Sequence, residues 1–312
     1  MRLVTITIKK GYPMIRYLGY ACINENLKPR TFKSCRLASI EKNGLNYLID
    51  KIKENLDFLY DILLWNEANG IKFYRVSSAL MPLVTHEKLL LEHEWRWYKD
   101  KDILSKLDLI KAYVIKYNHR ISMHPDQFTV INSLKPSVVK SSIEYLDYHH
   151  KLLEHIGGQD IILHVGGVYN DKAESMKRFI KVFNGLNSEM KGYIRIENDD
   201  KSYTIHDVLR LQKETQCSVV FDIHHHNCHH EKELSHGDVK KIVDSWQGKI
   251  PKVHISSGKT GFLDRSHHDF VNQDDFSVLK EWFSDYTIDV MVEAKKKEKA
   301  ALKLMGEEDE TL

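Results

Sequence analysis

The chain has 312 residues, 42% of them hydrophobic, enough to bury a large core as two ordinary domains or as one α/β barrel. Lys and Arg number 46 against 44 Asp and Glu, so no bulk positive excess announces a polyanion-binding protein and any basic surface has to be local. The four cysteines, Cys22, Cys35, Cys217 and Cys228, form no CxxC pair and lack the density of a secreted disulfide framework. The alternating opening, 1–10, is too short in apolar residues for a signal peptide, and no run approaches the ~18 apolar residues of a membrane span. A cytoplasmic protein without a membrane partner is expected.

In chain order, 1–14 reads as an N-terminal extension, and β-rich runs follow at 17–23, 73–76, 120–123, 161–165, 193–196, 218–223, 252–255 and 290–292. Most are continuous apolar runs, as parallel strands buried on both faces should be. Between the first two, Leu45, Leu48, Ile49, Ile52, Leu56, Leu59 and Leu63 recur at three and four residues, one apolar stripe to lay on a sheet. Further helical stretches lie at 103–117, 137–156 behind Pro136, 174–186, 204–213 and 239–246. Eight strands alternating with helices predict a (β/α)₈ TIM barrel over 15–300, with an acidic tail at 301–312. The charged runs at 295–299 and 307–310 read as a helix surface and a frayed end.

Two connections are longer than usual for a βα loop. The first, 24–42, carries Lys28, Arg30, Lys33, Arg36 and Lys42 against Glu25 and Glu41; the second, 80–102, holds Trp95, Trp97 and Tyr98. Basic residues followed by aromatics suit phosphate contact and base stacking, although a solvated loop and a packed lid have the same composition.

Six consecutive strand ends carry groups able to bind a metal: His124, His164, Glu197, then Asp222 with His224 and His225, then His254 and Glu293. A lone histidine there is more often a satisfied barrel residue. Burying all of them without a cation would leave charges unpaired, at several kcal/mol each. The donors are nitrogen and oxygen, which suits Zn²⁺ or Mn²⁺ better than a thiolate site and does not separate the two. A carboxylate bridging two divalent ions, with imidazoles completing each shell, generates hydroxide at neutral pH and stabilises both the attacking and the leaving oxygen of a phosphodiester. In the run 224–230, alternation favours His224 beside Asp222, while an early turn would bring in His225; periodicity does not choose. A metal-dependent sugar isomerase uses similar residues, whereas an amidohydrolase needs His-x-His where this chain has Tyr20-Ala21-Cys22.

Leu18-Gly19-Tyr20, Phe73-Tyr74-Arg75-Val76-Ser77-Ser78, Ser122-Met123-His124-Pro125-Asp126-Gln127, His164-Val165-Gly166-Gly167, Ile196-Glu197-Asn198-Asp199-Asp200, Asp222-Ile223-His224-His225, Lys252-Val253-His254-Ile255-Ser256, His267-His268-Asp269 and Glu293-Ala294-Lys295 follow in order. With them the chain resembles the UV-damage endonucleases, in the same metal-dependent barrel superfamily as the endonuclease IV apurinic-site enzymes. The resemblance implies three divalent ions, Mn²⁺ ahead of Zn²⁺. The first would be held by His124, His164 and Glu197, the second by Glu197, Asp222, His254 and Glu293, and the third by His225, Lys252 and His267 rather than His224 or His268. An ammonium has no lone pair to give, and the family resolves this by carboxylating the lysine. Glu197 and Lys252 would then be catalytic.

The family also inserts a Gln-Tyr pair at the lesion. Here the pair is Gln127-Phe128, which keeps a stacking face and loses the hydroxyl, unless Phe128 merely caps the core. Tyr20 and Asn24 are similarly placed to touch damaged bases. The implied activity is incision of duplex DNA immediately 5′ to cyclobutane pyrimidine dimers and 6-4 photoproducts, and at abasic sites, by metal-bound hydroxide. The enzyme would be a monomer acting at the nucleoid of a prokaryote. A pure apurinic-site endonuclease is the nearest rival.

Overall fold

The computed structural model describes residues 14–28 and 31–309; most of the N-terminal extension, Arg30 of the basic loop and the last residues of the tail lie outside the described residues. Eight strands, β1 (Met14–Ala21), β2 (Phe73–Val76), β3 (Arg120–Met123), β4 (Asp160–His164), β5 (Ile194–Glu197), β6 (Ser218–Asp222), β7 (Lys252–Ile255) and β8 (Thr287–Val292), close into one barrel in chain order, every neighbour parallel. Helices cover the outside. In Leu45–Ala68 the predicted stripe delivers Leu48, Ile52, Leu56, Leu59 and Leu63 to the core. Thr204 and Asp207 form a reciprocal capping box that starts Ile205–Thr215.

β1 and β8 extend several residues earlier than their apolar runs suggest, because Arg16 on β1 is neutralised by Asp289 on β8 rather than ending the strand. Arg120 joins this pair from β3, with its Nη1 2.6 Å from Asp289 Oδ2 and its Nε and Nη2 on Asp160 Oδ2. Arg195 donates to the other oxygen of Asp160 at 3.0 Å. This network closes the end of the barrel where the strands begin, beside a cavity of about 450 Å³ also lined by Trp246 and Lys249.

The aromatic connection turns out differently from a solvated surface, while the basic loop keeps Lys28, Lys33, Arg36 and Lys42 exposed. Residues 80–102 are largely helical, and Trp97 is buried edge-on against Tyr98 and Tyr148 while Trp95 donates to Asp100. They are packed, not stacking platforms. The other loop is pinned by Asn55, whose amide bonds both the N–H and the C=O of Lys33. The closing helix Lys297–Asp309 crosses the expected boundary at 300 and buries Ala300, Ala301 and Leu304 in the main core. Its Glu298 accepts the backbone N–H groups of Glu25 and Asn26. No described helix is long and apolar enough to cross a membrane, and the four cysteines are free.

Candidate metal centre

Register places the acidic and imidazole side chains side by side at the end of the barrel where the strands finish. His164 on β4 lies opposite Glu197 on β5, and Asp222 on β6 opposite His254 on β7; His124 and Glu293 directly follow β3 and β8. Two groups result, His124 with His164 and Glu197, and Glu197 with Asp222, His254 and Glu293; within each, ligand atoms from all members lie within 4.8 Å of one another. Glu197 belongs to both. Its Oε2 is 3.1 Å from His124 Nε2 and 3.5 Å from His164 Nε2, and its Oε1 is 2.6 Å from His254 Nδ1.

Proton placement favours a cation among these contacts. His124 Nδ1 is 3.0 Å from the Pro125 carbonyl, which only accepts, so that nitrogen carries the proton. Burial pushes His124 down to about 4 despite the pull of Glu197, leaving a neutral ring whose Nε2 lone pair faces a carboxylate oxygen. Glu197 Oε1, Asp222 Oδ2, both nitrogens of His254 and His164 Nδ1 are buried without a hydrogen bond, the close His254–Glu197 contact being misaligned for one. Unpartnered polar atoms at this density, carboxylate oxygens among them, are costly to bury and are what a bound positive ion would satisfy. The nitrogen and oxygen donors therefore fit divalent cations.

The electrostatics agree. Burial raises the Glu197 carboxyl, yet His254, His164 and His124 outweigh it and hold the group well below the ordinary carboxylate range. Burial acts likewise on Glu293 and is overridden by Arg75 and His254. His225 is pushed up to about 9, because Asp222, Glu197 and Glu293 together exceed the opposing effect of burial. The carboxylates thus favour the protonated forms of His225 and His254, while burial keeps His124 neutral.

The helix Ile223–Cys228 begins immediately after Asp222, which caps it by accepting the His225 N–H at 2.7 Å. That early turn brings His225 to 3.9 Å from Asp222 Oδ2 and 4.0 Å from Glu197 Oε1, whereas His224 packs edge-on against His267. Asn198 clasps the Asp222 backbone through two bonds of 2.9 Å. His225 and His267 each direct Nδ1 to a backbone carbonyl, of Asn198 and Glu293, the tautomer-fixing contact that metal-binding histidines make. His268 is exposed. Lys252 is fully buried and donates to Ser122 Oγ at 2.9 Å; no hydrogen bond or ion pair joins it to His225 or His267. Burial drops its amine to about 7.

Gln127 and Phe128 project into solvent beside His124, Phe128 being 76% exposed on a turn that Asp126 holds through the Phe128 and Thr129 N–H groups. Phe128 does not cap the core. Tyr20 and Asn24 require correction as lesion contacts: both are fully buried, Asn24 donating to the Tyr20 hydroxyl and that hydroxyl to Asn66. Their polarity is spent internally. Sequence reasoning assigned no role to Arg75, which pairs with Glu293 at the rim; a charge inside the four-residue strand β2 was the available signal.

The family described as UV-endonuclease UvdE matches residues 16–311. The UV DNA damage endonuclease of Halalkalibacterium halodurans is 35% identical over 304 residues, covering 92% of each chain. The crystal structure of SacUVDE superposes with a TM-score of 0.83 at 32% identity, over 94% of this chain and 99% of that one. Endonuclease IV from Thermus thermophilus, at 12% identity and a TM-score of 0.55 over 81% of this chain and 94% of its own, shares the fold.

Proposed function

The chain belongs to the UV-endonuclease UvdE family, and from that premise we propose that it is a metal-dependent DNA repair endonuclease. It nicks duplex DNA immediately 5′ to cyclobutane pyrimidine dimers and 6-4 photoproducts, and at abasic sites. The observation that carries this reading is the pair of ligand groups sharing one buried carboxylate, Glu197, at an open barrel mouth. Neighbouring cation sites of this kind suit in-line displacement at phosphorus. The exposed Gln127-Phe128 pair beside them suits a duplex rather than a small enclosed substrate.

His124, His164 and Glu197 would hold one divalent ion, and Glu197, Asp222, His254 and Glu293 a second, with Mn²⁺ favoured. When bound, such ions supply Lewis-acid charge to the phosphoryl oxygens and lower the pKa of water. The protein's part is positioning. Asn198 fixes Asp222, the Pro125 carbonyl fixes the His124 tautomer, and Arg75 orients Glu293 while adding a positive charge for the phosphate. His225, Lys252 and His267 form a third site once Lys252 is carboxylated, because a carbamate supplies the oxygens that an amine lacks. Intact mass under non-acidic conditions reads the added CO₂; a bare lysine in metal-loaded enzyme removes this third site.

Selectivity comes from the DNA. Damaged bases pair and stack poorly, so extruding them costs less than the few kcal/mol needed for intact steps, and Phe128 fills the vacated space. The substrate is damaged duplex DNA, met by a monomer at the nucleoid. The deciding experiment is nicking of irradiated against unirradiated supercoiled plasmid, with Mn²⁺ added or chelated. Mn²⁺-dependent nicking of the irradiated form alone is expected; cutting confined to abasic sites reduces the enzyme to an apurinic-site endonuclease, and no cutting removes the nuclease reading.

A further inference from the structure

Phe262 and Leu263 are 61% and 67% exposed, two adjacent large apolar side chains at the tip of the excursion that follows β7. The excursion is not slack. Gly258 and His267 bridge antiparallel at its base, and Lys259 N–H donates to the Ser266 carbonyl at 2.7 Å. Asp264 ties the tip from inside, its Oδ2 accepting from Thr260 N–H and Oγ1 and its Oδ1 from Ser266 N–H. Gly258 packs so closely that an added Cβ would collide with the Gly261 carbonyl oxygen. A backbone held this firmly keeps two apolar side chains in water when the fold gains no burial from them.

Position says what they face. In the closed order of strands, β7 is four places from β3 in either direction, so Phe262 and Phe128 stand on opposite sides of the mouth. The base of the hairpin carries His267, bonded to the Glu293 carbonyl, which fixes the tip relative to the candidate metal ligands. Lys259 and Arg265 flank the tip and are exposed; Arg265 is paired with Asp200 at 3.3 Å, so Lys259 is the cation suited to a phosphate beside the apolar wedge, with Arg265 available on exchange of its partner. A wedge of Phe and Leu beside a cation has the chemistry of elements that enter a base stack.

We propose that the hairpin 258–267 is a second DNA-penetrating element, its Phe262 and Leu263 entering the base stack across the mouth from Phe128. The proposal rests on the endonuclease reading for its ligand, and two wedges divide the work: one fills the space left on one side of an extruded lesion, the other supports the opposite side.

The test uses the full chain and a duplex oligonucleotide with one thymine dimer, a methylphosphonate 5′ to it that blocks incision, and 2-aminopurine beside the bases opposite. Wild type should bind this duplex with a rise in 2-aminopurine emission. Phe262→Ala with Leu263→Ala should weaken binding of the damaged duplex about tenfold, leave undamaged duplex within about twofold, and abolish most of the rise; Phe262→Trp should retain both. Unchanged affinity and emission in the double variant would overturn the proposal. So would an equal loss on both duplexes, the mark of a surface contact, or a wild-type dimer in sedimentation that the double variant dissolves. Wild-type nicking of irradiated plasmid is scored separately, so failure of the nuclease reading and failure of the wedge are told apart.

Discussion

Replacing Glu197 by Gln keeps the shape of the side chain and removes the one carboxylate common to both ligand groups. A cation binding only the folded protein stabilises it by about 2.7 kcal/mol at one hundred times its Kd. For a chain of this size about 2 °C of melting temperature corresponds to each kcal/mol, so wild type should gain roughly 5 °C for one ion held at that level of saturation. Glu197→Gln replaces one oxygen by an amide nitrogen that turns its protons toward the ion, and each group loses its shared anionic donor. The expected gain with Mn²⁺ falls to near zero. The readout is the metal-induced shift, thermal melting with chelator against Mn²⁺, rather than absolute stability. Absolute stability will fall too, since the depressed Glu197 carboxyl contributes stability above the ordinary carboxylate range that the amide lacks. A variant that keeps the full Mn²⁺ shift, or a wild type that shows none, refutes the shared-ligand geometry independently of any DNA assay.

Phe128→Ala removes an exposed ring, so its melting temperature should stay within about 1 °C of wild type while incision of irradiated plasmid at limiting enzyme drops about tenfold; equal incision would show that the ring does not enter DNA. Tyr20→Phe should do the reverse, costing about 1–3 kcal/mol in denaturant unfolding by stranding Asn24 and Asn66, with lesion affinity unchanged; a selective loss of lesion binding without a stability change would restore Tyr20 to the interface. Asp160 is buried, which opposes ionisation, but Arg120 and Arg195 override this and hold its carboxyl at about 2. The native group is therefore the more acidic one, and it contributes roughly 2 kcal/mol that is complete above pH ~5 and lost as pH falls toward 2. Asp160→Asn should flatten that part of the acid-unfolding profile and, by stranding two arginines, cost about 3–5 kcal/mol at pH 7; an acid profile as steep as wild type would refute the assignment.

What the sequence made legible follows from which forces act locally. Short β-rich runs, most of them continuously apolar, located all eight strands because a parallel barrel strand is buried on both faces. Strand starts were less visible at β1 and β4, since Arg16 and Asp160 look like loop residues until partners from other strands neutralise them inside the barrel. Those partners are separated by up to 273 residues, and no local window contains them. The same limit applies to Tyr20 and Asn24, whose polar atoms find each other and Asn66 across the core, and to Trp97, which an aromatic-rich loop hides in a packed cluster. Phe128 was ambiguous for the opposite reason: nothing in a Phe codes for exposure except the Asp126 turn that turns it outward.

The metal centre divides along the same line. The ligand candidates of its first two groups are read from strand ends, because register juxtaposes His164 with Glu197 and Asp222 with His254, while their division into two groups was implied by the resemblance. The third depends on things register does not encode. The His224–His225 choice is made by the helix that Asp222 caps, one residue earlier than strand alternation allows. Lys252 shares a strand face with His254 but sits one layer deeper, where its amine finds Ser122 and lies near the charges of Asp160, Arg120, Arg75 and Glu197. An unmodified lysine there, in its ammonium form, links the charged base of the barrel to its charged mouth and offers a cation no lone pair. Carboxylation would lengthen the side chain and reverse the sign of its charge, converting the same residue from a spacer between the two layers into a donor for the upper one. The proposed third site therefore depends on covalent chemistry at one buried nitrogen.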